Sequence, residues 1–192
     1  MKQRSSRIAV CGRLPTRMAK KPPHKLPPEK KGTGGKGSSN NPEAAHSIKK
    51  PEAAHPLVQK VLDAKPPIAE LIGFEVVQIG DGRAIGSLQA GPQHANPMGT
   101  LHGGVLCDIA DAAMGMAFAS TLAPVESFTT IALSINFFRP VWQARLKAEA
   151  RVINRGKSVG YLECDVTDQD GKHIARANST CFVLRGDNAK TR

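Results

Sequence analysis

Asp111 is the residue in this 192-residue chain whose setting most directly implies chemistry. It follows Val105, Leu106, Ile109 and Ala110 and precedes Ala112, Ala113, Met114, Met116 and Phe118, a stretch apolar on nearly every side, as a buried helix reads. A charge is costly there, and no basic residue lies three or four positions away to pair with it. Just upstream stand His102, Gly103 and Gly104, where the helix should begin. The first N–H groups of a helix lack internal acceptors, and its dipole favours developing negative charge. Glycines at that point let a carbonyl approach the backbone closely, which makes an oxyanion site. A carboxylate beyond an oxyanion site is the pairing that hydrolytic attack on a carbonyl requires. His102 can hydrogen-bond that carbonyl or fix the loop. Asn96, ahead of a proline, can orient a water or close the loop as an Asx-turn. Asp108 reads as a favourable charge near the helix N-terminus.

The helix carrying these groups is predicted over about Gly103 to Ser120, and strand-like segments surround it. Phe74 to Ile79, the turn Gly80-Asp81-Gly82 and Arg83 to Gln89 read as a hairpin. After Pro124 come Thr129 to Phe138, Arg145 to Asn154, Val159 to Thr167 and His173 to Leu184, separated by turn residues. Between Thr130 and Phe137 the alternation places Ile131, Leu133, Ile135 and Phe137 on one face, opposite Thr130, Ala132, Ser134 and Asn136. A sheet with one apolar face must be covered, and the central helix is the long apolar element available to cover it. The expected class is α+β, a curved antiparallel sheet of about six strands wrapped around one long helix. Pro56 opens a short helical lead-in, 56–71, with a second turn at Ile68 to Leu71.

The formal net charge of +11 resembles a nucleic-acid binder's until it is located. Residues 1–55 carry 13 Lys and Arg against 3 acids, and residues 56–192 carry 14 against 13. The folded part is therefore close to neutral. Residues 1–55, rich in Lys, Pro, Gly and Ser, are expected to be disordered, and their repeated Pro-Glu-Ala-Ala-His is too polar to form a solenoid unit. Arg4, Arg7, Arg13 and Arg17, with no acid before Glu29, fit a mitochondrial transit peptide, against which Pro15 counts. Cys11, Cys107, Cys164 and Cys181 form no Cys-x-x-Cys pair and read as free thiols in a reducing compartment. No metal site is expected. With no apolar stretch of spanning length, the expectation is a cytoplasmic protein, or a mitochondrial matrix one if the basic N-terminus is a transit peptide.

Asn96, His102-Gly103-Gly104 six residues on and Asp111 nine residues after the histidine resemble the signature of the hotdog-fold thioesterases, specifically the phenylacetic-acid-type acyl-CoA thioesterases. The resemblance runs from about Ile72 to Leu184 and includes Thr130, with Thr129 as the fallback, ahead of Phe137-Phe-Arg-Pro140. It implies a hotdog domain over 72–185, followed by a flexible end, 186–192. It also implies hydrolysis of small or aromatic acyl-CoA thioesters, with no cofactor beyond the CoA of the substrate. Asp111 would act as general base or as nucleophile, the Gly103 N–H would polarise the carbonyl, and Asn96 and Thr130 would place the water and Asp111. Gly104 would contact the substrate. Arg155, Lys157 and Ser158 would meet the CoA arm. The resemblance further implies a homodimer or homotetramer with active sites at the subunit interface. Met98, Met114, Phe118, Phe128 and Trp142 are the residues expected around the acyl chain. A non-catalytic acyl-CoA-binding regulator with a nucleic-acid-contacting tail is the alternative, but the tail's prolines leave no helix-turn-helix periodicity. A hydratase would need another acid/base pair.

Overall fold

The computed structural model describes residues 54–190. The basic segment, with Cys11 and the transit-peptide and repeat readings, lies outside the described residues except for its last two positions. His55, read from sequence as the end of that tail, is instead the N-cap of α1 (Pro56–Asp63) and is buried. Its Nδ1 accepts the Leu57 N–H at 3.2 Å, so Nε2 carries the proton given to the Glu126 carbonyl at 3.0 Å. A second short helix, α2 (Pro67–Ile72), ends at Gly73, whose φ of 83° is the left-handed cap that glycine supplies without strain.

Six antiparallel strands follow: β1 (Phe74–Gly80), β2 (Arg83–Ala90), β3 (Ser127–Phe137), β4 (Ala144–Arg155), β5 (Val159–Thr167) and β6 (His173–Leu184). Their order across the sheet is β1-β2-β4-β5-β6-β3, so β1 and β3 are its two edges. The turn between β1 and β2 has positive φ at both Asp81 (51°) and Gly82 (70°), the two-residue turn whose twist suits a hairpin. Asp187–Lys190, expected to be a flexible end, forms one helical turn, α4.

The central helix α3 (Gly103–Ala119) lies in the concave face, with Leu106, Ile109, Ala110, Ala113, Met114, Ala117 and Phe118 buried. Facing them are small residues, including Ala84, Ala148, Ala150, Ala175 and Ala177. Short side chains on both surfaces let the helix settle deep in the sheet, which removes most of its circumference from water. At Gly160 the packing is closer still: a Cβ there would lie 2.2 Å from the buried Phe118 ring, itself edge-on to Phe128 at 5.6 Å. Gly160→Ala is therefore expected to lower unfolding free energy by about 1–3 kcal/mol, measured by denaturant titration.

Alternation in β3 does not run through as the sequence suggests. Thr130 pairs with Cys181 and Ala132 with Thr180, so Ile131 is an extra residue in a bulge. It is 58% exposed. One inserted residue reverses the parity, so Thr130 turns to the helix side, as Leu133 and Ile135 do beyond the bulge. Val77 in β1 and Ile153 in β4 occupy the same kind of irregularity and are likewise exposed.

Candidate active site

The loop before α3 is fastened by side chains. Asn96 Oδ1 accepts the N–H groups of Met98 (2.9 Å) and Thr100 (3.2 Å), and its Nδ2 donates to Thr100 Oγ1 at 2.9 Å. Of the two roles open to Asn96 in the sequence, this is the loop-closing one. His94, which the sequence reading passed over, anchors the other side. Its Nδ1 accepts the Gly91 N–H at 3.2 Å, leaving Nε2–H to donate to the Ile72 carbonyl at 2.7 Å, while its own carbonyl accepts the His102 N–H. A buried histidine thus ties the end of α2 to the segment that starts α3. No periodicity marks such a residue, because both partners are backbone groups remote in sequence or locally folded.

At the start of α3, His102 is the N-cap, and its Nδ1 accepts the Gly104 N–H at 2.9 Å. A Cβ on Gly104 would lie 2.9 Å from that nitrogen, so the cap needs glycine there. The Gly104 N–H is thereby occupied. The Gly103 N–H has no acceptor among the described residues, which leaves Gly103 as the free donor where the helix dipole is positive. It lines a depression of about 380 Å³ together with Asn96, Leu106, Phe137 and Arg139.

Asp111 lies two turns farther along α3, half-buried. Thr130 Oγ1 donates to its Oδ1 at 3.2 Å across from β3. Thr129, the fallback, pairs in register with Phe182, one position along the strand from Thr130. Thr130→Val should lower kcat/KM by about 10- to 100-fold, the worth of one hydrogen bond to a carboxylate, with the fold retained by thermal melting. Asp108 lines the same cleft, and its carboxyl is raised above the ordinary range by burial and then by the charge of Asp111. Cys107 is raised by burial and by both aspartates. Burial pushes Cys164 up to about 12 and also raises Cys181, so these are inert core thiols.

Gly103 and Asp111 are eight residues apart, about 12 Å along the helix axis. They open onto different depressions. A reacting carbonyl must lie roughly 3 Å from both its oxyanion donor and its attacking group. Within one chain these two cannot serve the same carbonyl.

Residues 98–175 match the Thioesterase superfamily. Over 109 residues the chain is 31% identical to acyl-coenzyme A thioesterase PaaI of Escherichia coli (strain K12), covering 56% of this chain and 75% of that protein. The chain belongs to the thioesterase superfamily. It is a thioester hydrolase with the hotdog fold. It is also 28% identical to the 1,4-dihydroxy-2-naphthoyl-CoA hydrolase of Listeria monocytogenes (serotype 1/2a, strain 10403S), covering 62% of this chain and 96% of that one. Among solved structures, conserved protein PA5202 from Pseudomonas aeruginosa superposes with a TM-score of 0.59 at 30% identity, over 62% of this chain and 94% of that one.

In this thioesterase the other residues singled out from sequence lie apart from Asp111. Arg155 sits toward the C-terminal end of α3, its guanidinium 5.2 Å from the Phe118 ring centroid and its Nη2 3.2 Å from Glu126 Oε2. Glu126 also pairs with Arg185. Although burial opposes it, the Ala123 N–H and the two arginines hold the Glu126 carboxyl below its ordinary range. Lys157 and Ser158 are exposed at the β4–β5 turn. The residues expected around the acyl chain do not line the Asp111 cleft. Met114 and Phe118 are fully buried in the core, Phe128 packs against Phe118, and Met98 and Trp142 are exposed. Their apolar character alone did not separate core, cleft and surface. Among the described residues, no cluster of three or more His, Cys, Asp and Glu side chains could hold a metal, and no helix is long and apolar enough to cross a membrane.

Proposed function

We propose that this thioesterase hydrolyses small or aromatic acyl-CoA thioesters at sites shared between two subunits. The observation that carries this reading is the division of labour along α3: a free Gly103 N–H at one point and a Thr130-held Asp111 about 12 Å away. A two-fold partner supplies the complement, so that Asp111 of one subunit and the Gly103 N–H of the other converge on one carbonyl. The Gly103 N–H stabilises the oxyanion. Asp111 either takes a proton from the attacking water or itself attacks the carbonyl to give a mixed anhydride that water then opens; in both routes CoA leaves as the thiol. Label in the Asp111 carboxylate after a single turnover in ¹⁸O-water would establish the anhydride route with water attacking the aspartyl carbonyl, since general-base attack places label in the product acid alone.

Edge strand β3 supports the assembly. Among the described residues no strand lies on its outer side, and exposed Ile131 and Phe137 lie along it. Joining two such edges makes a dimer, and two dimers a tetramer; sedimentation distinguishes these. The CoA reading takes support from the names of the E. coli and L. monocytogenes relatives. Lys157 and Ser158, exposed beside Arg155, are the groups available to its phosphates. CoA enters only as part of the substrate. The free thiols Cys107, Cys164 and Cys181 suit a reducing compartment, the cytoplasm or the mitochondrial matrix. Thiol release from acetyl-, hexanoyl-, phenylacetyl- and palmitoyl-CoA tests the activity. Release from none of them, at enzyme concentrations equal to substrate, would falsify it.

A further inference from the structure

We infer that His94 is a positioning residue of the hydrolysis, one that aims the Gly103 N–H at the reacting carbonyl without touching substrate. This inference rests on the thioesterase reading above, in which Gly103 supplies the oxyanion donor. Such a donor must lie about 2.7–3.1 Å from the developing charge, and a misplacement of about 1 Å can cost roughly 10²-fold in rate. The direction of the Gly103 N–H is that of the peptide plane between His102 and Gly103. A peptide is rigid, so this plane turns only with the backbone of His102, and whatever holds His102 aims the donor.

His102 is held from two directions. Its ring accepts the Gly104 N–H at 2.9 Å and its carbonyl accepts the Val105 N–H at 3.1 Å, but both partners belong to α3 and move with it. From outside the helix, the His94 carbonyl accepts the His102 N–H at 2.9 Å, next to the bridge that pairs Ala95 with Leu101. What fixes that carbonyl is the ring of the same residue. It is buried, it accepts the Gly91 N–H at 3.2 Å on Nδ1, and it donates from Nε2 to the Ile72 carbonyl at 2.7 Å. The first bond is local, whereas the second reaches 22 residues back and fastens the loop to the end of α2. Only a neutral imidazole offers one acceptor and one donor on a rigid ring; a doubly protonated one would turn an N–H toward the Gly91 N–H. With both nitrogens committed to backbone, His94 has no free group for acid-base work, and it lines neither the Asp111 cleft nor the Gly103 depression. The Leu101 N–H is separately anchored to the Val141 carbonyl at 2.7 Å, so loss of the ring should loosen the aim of His102 without releasing the loop.

The test is a double-mutant cycle of His94 and Gly103 in the full chain, read as kcat and KM on whichever acyl-CoA of the panel above the parent turns over fastest. His94→Leu should lower kcat about 10- to 100-fold and change KM by less than about threefold, because the oxyanion contact tightens in the transition state. His94→Gln places an amide N–H near the position of Nε2, still able to reach the Ile72 carbonyl, and should return kcat to within about threefold of the parent. His94→Asn keeps only an acceptor toward Gly91 and should not. In the Gly103→Pro background no N–H is left to aim, so His94→Leu should there cost less than about twofold. Thermal melting establishes that each variant is folded, and His94→Asn carries the same cycle if His94→Leu does not fold. Equal losses with and without the Gly103 N–H would make His94 a structural residue only, overturning the assignment while leaving the hydrolase reading intact. Parental kcat in folded His94→Leu overturns it too, as does failure of both variants to fold. Hydrolysis of no acyl-CoA by the parent removes both readings.

Discussion

Asp111→Asn is expected to lower kcat for acyl-CoA hydrolysis by about 10²–10⁴-fold, the usual contribution of a positioned general base. The amide has nearly the shape of the carboxylate and retains an oxygen to accept from Thr130 Oγ1, so the bond between α3 and β3 is kept. What disappears is the basic lone pair and the charge. Because that charge is half-buried in an apolar helix without a cation beside it, folding should be unharmed, and thermal melting checks this. A second consequence separates loss of charge from loss of structure. Asp108 is raised by burial and by the charge of Asp111, so in the variant its carboxyl should titrate at lower pH, followed by NMR. A folded Asp111→Asn protein with parental kcat would remove Asp111 from the reaction.

Gly103→Pro should cost about 10²–10³-fold in kcat, the effect of deleting one oxyanion donor. Proline removes the N–H and little else at this position. Gly103 is the first residue of α3, where proline is favoured, and His102 before it is already extended at φ −67°, ψ 132°, as a residue preceding proline must be. A Cβ at Gly103 would approach the Phe137 ring to 3.0 Å, so the ring must give by a few tenths of an ångström, and sedimentation checks that the contact along β3 survives. Combining the two inactive variants gives the sharper result. If each site takes Asp111 from one subunit and Gly103 from the other, a mixed dimer holds one site with both groups intact. Random reassociation of equal amounts should then restore about a quarter of parental activity, by two-fold symmetry. Restoration of none, with mixed dimers present, would place each site within a single chain and contradict the separation along α3.

Much of the chemistry was legible in the sequence because it is local. Asn96, His102, Gly103 and Asp111 lie within sixteen residues, and helix geometry alone converts their spacing into positions along one element. Element types were legible for a similar reason: the hairpin turn at Asp81-Gly82, the apolar α3 and the later strands each announce themselves through turn chemistry or apolar content. Where an extra residue intrudes, that logic stops. Alternation assigned Thr130 to the face opposite Leu133, but the bulge at Ile131 brings it to Asp111. A bulge is decided by how two strands register, and one strand's sequence does not contain that information.

Local sequence therefore determined which residues could react: a carboxylate in an apolar helix, a glycine donor at its start and the fixed distance between them. Tertiary structure decided what each is free to do. His102 takes the Gly104 N–H and leaves the Gly103 N–H open, a choice made by a side-chain rotamer. His94 and His55 hold the lead-in helices to the domain through carbonyls 22 and 71 residues away. Met114 and Phe118 belong to the core, whereas Leu62 and Ile68, far from Asp111 in sequence, line its cleft. Apolar surface packs by proximity and shape without directional partners, so nothing in the order of residues states which apolar groups will meet.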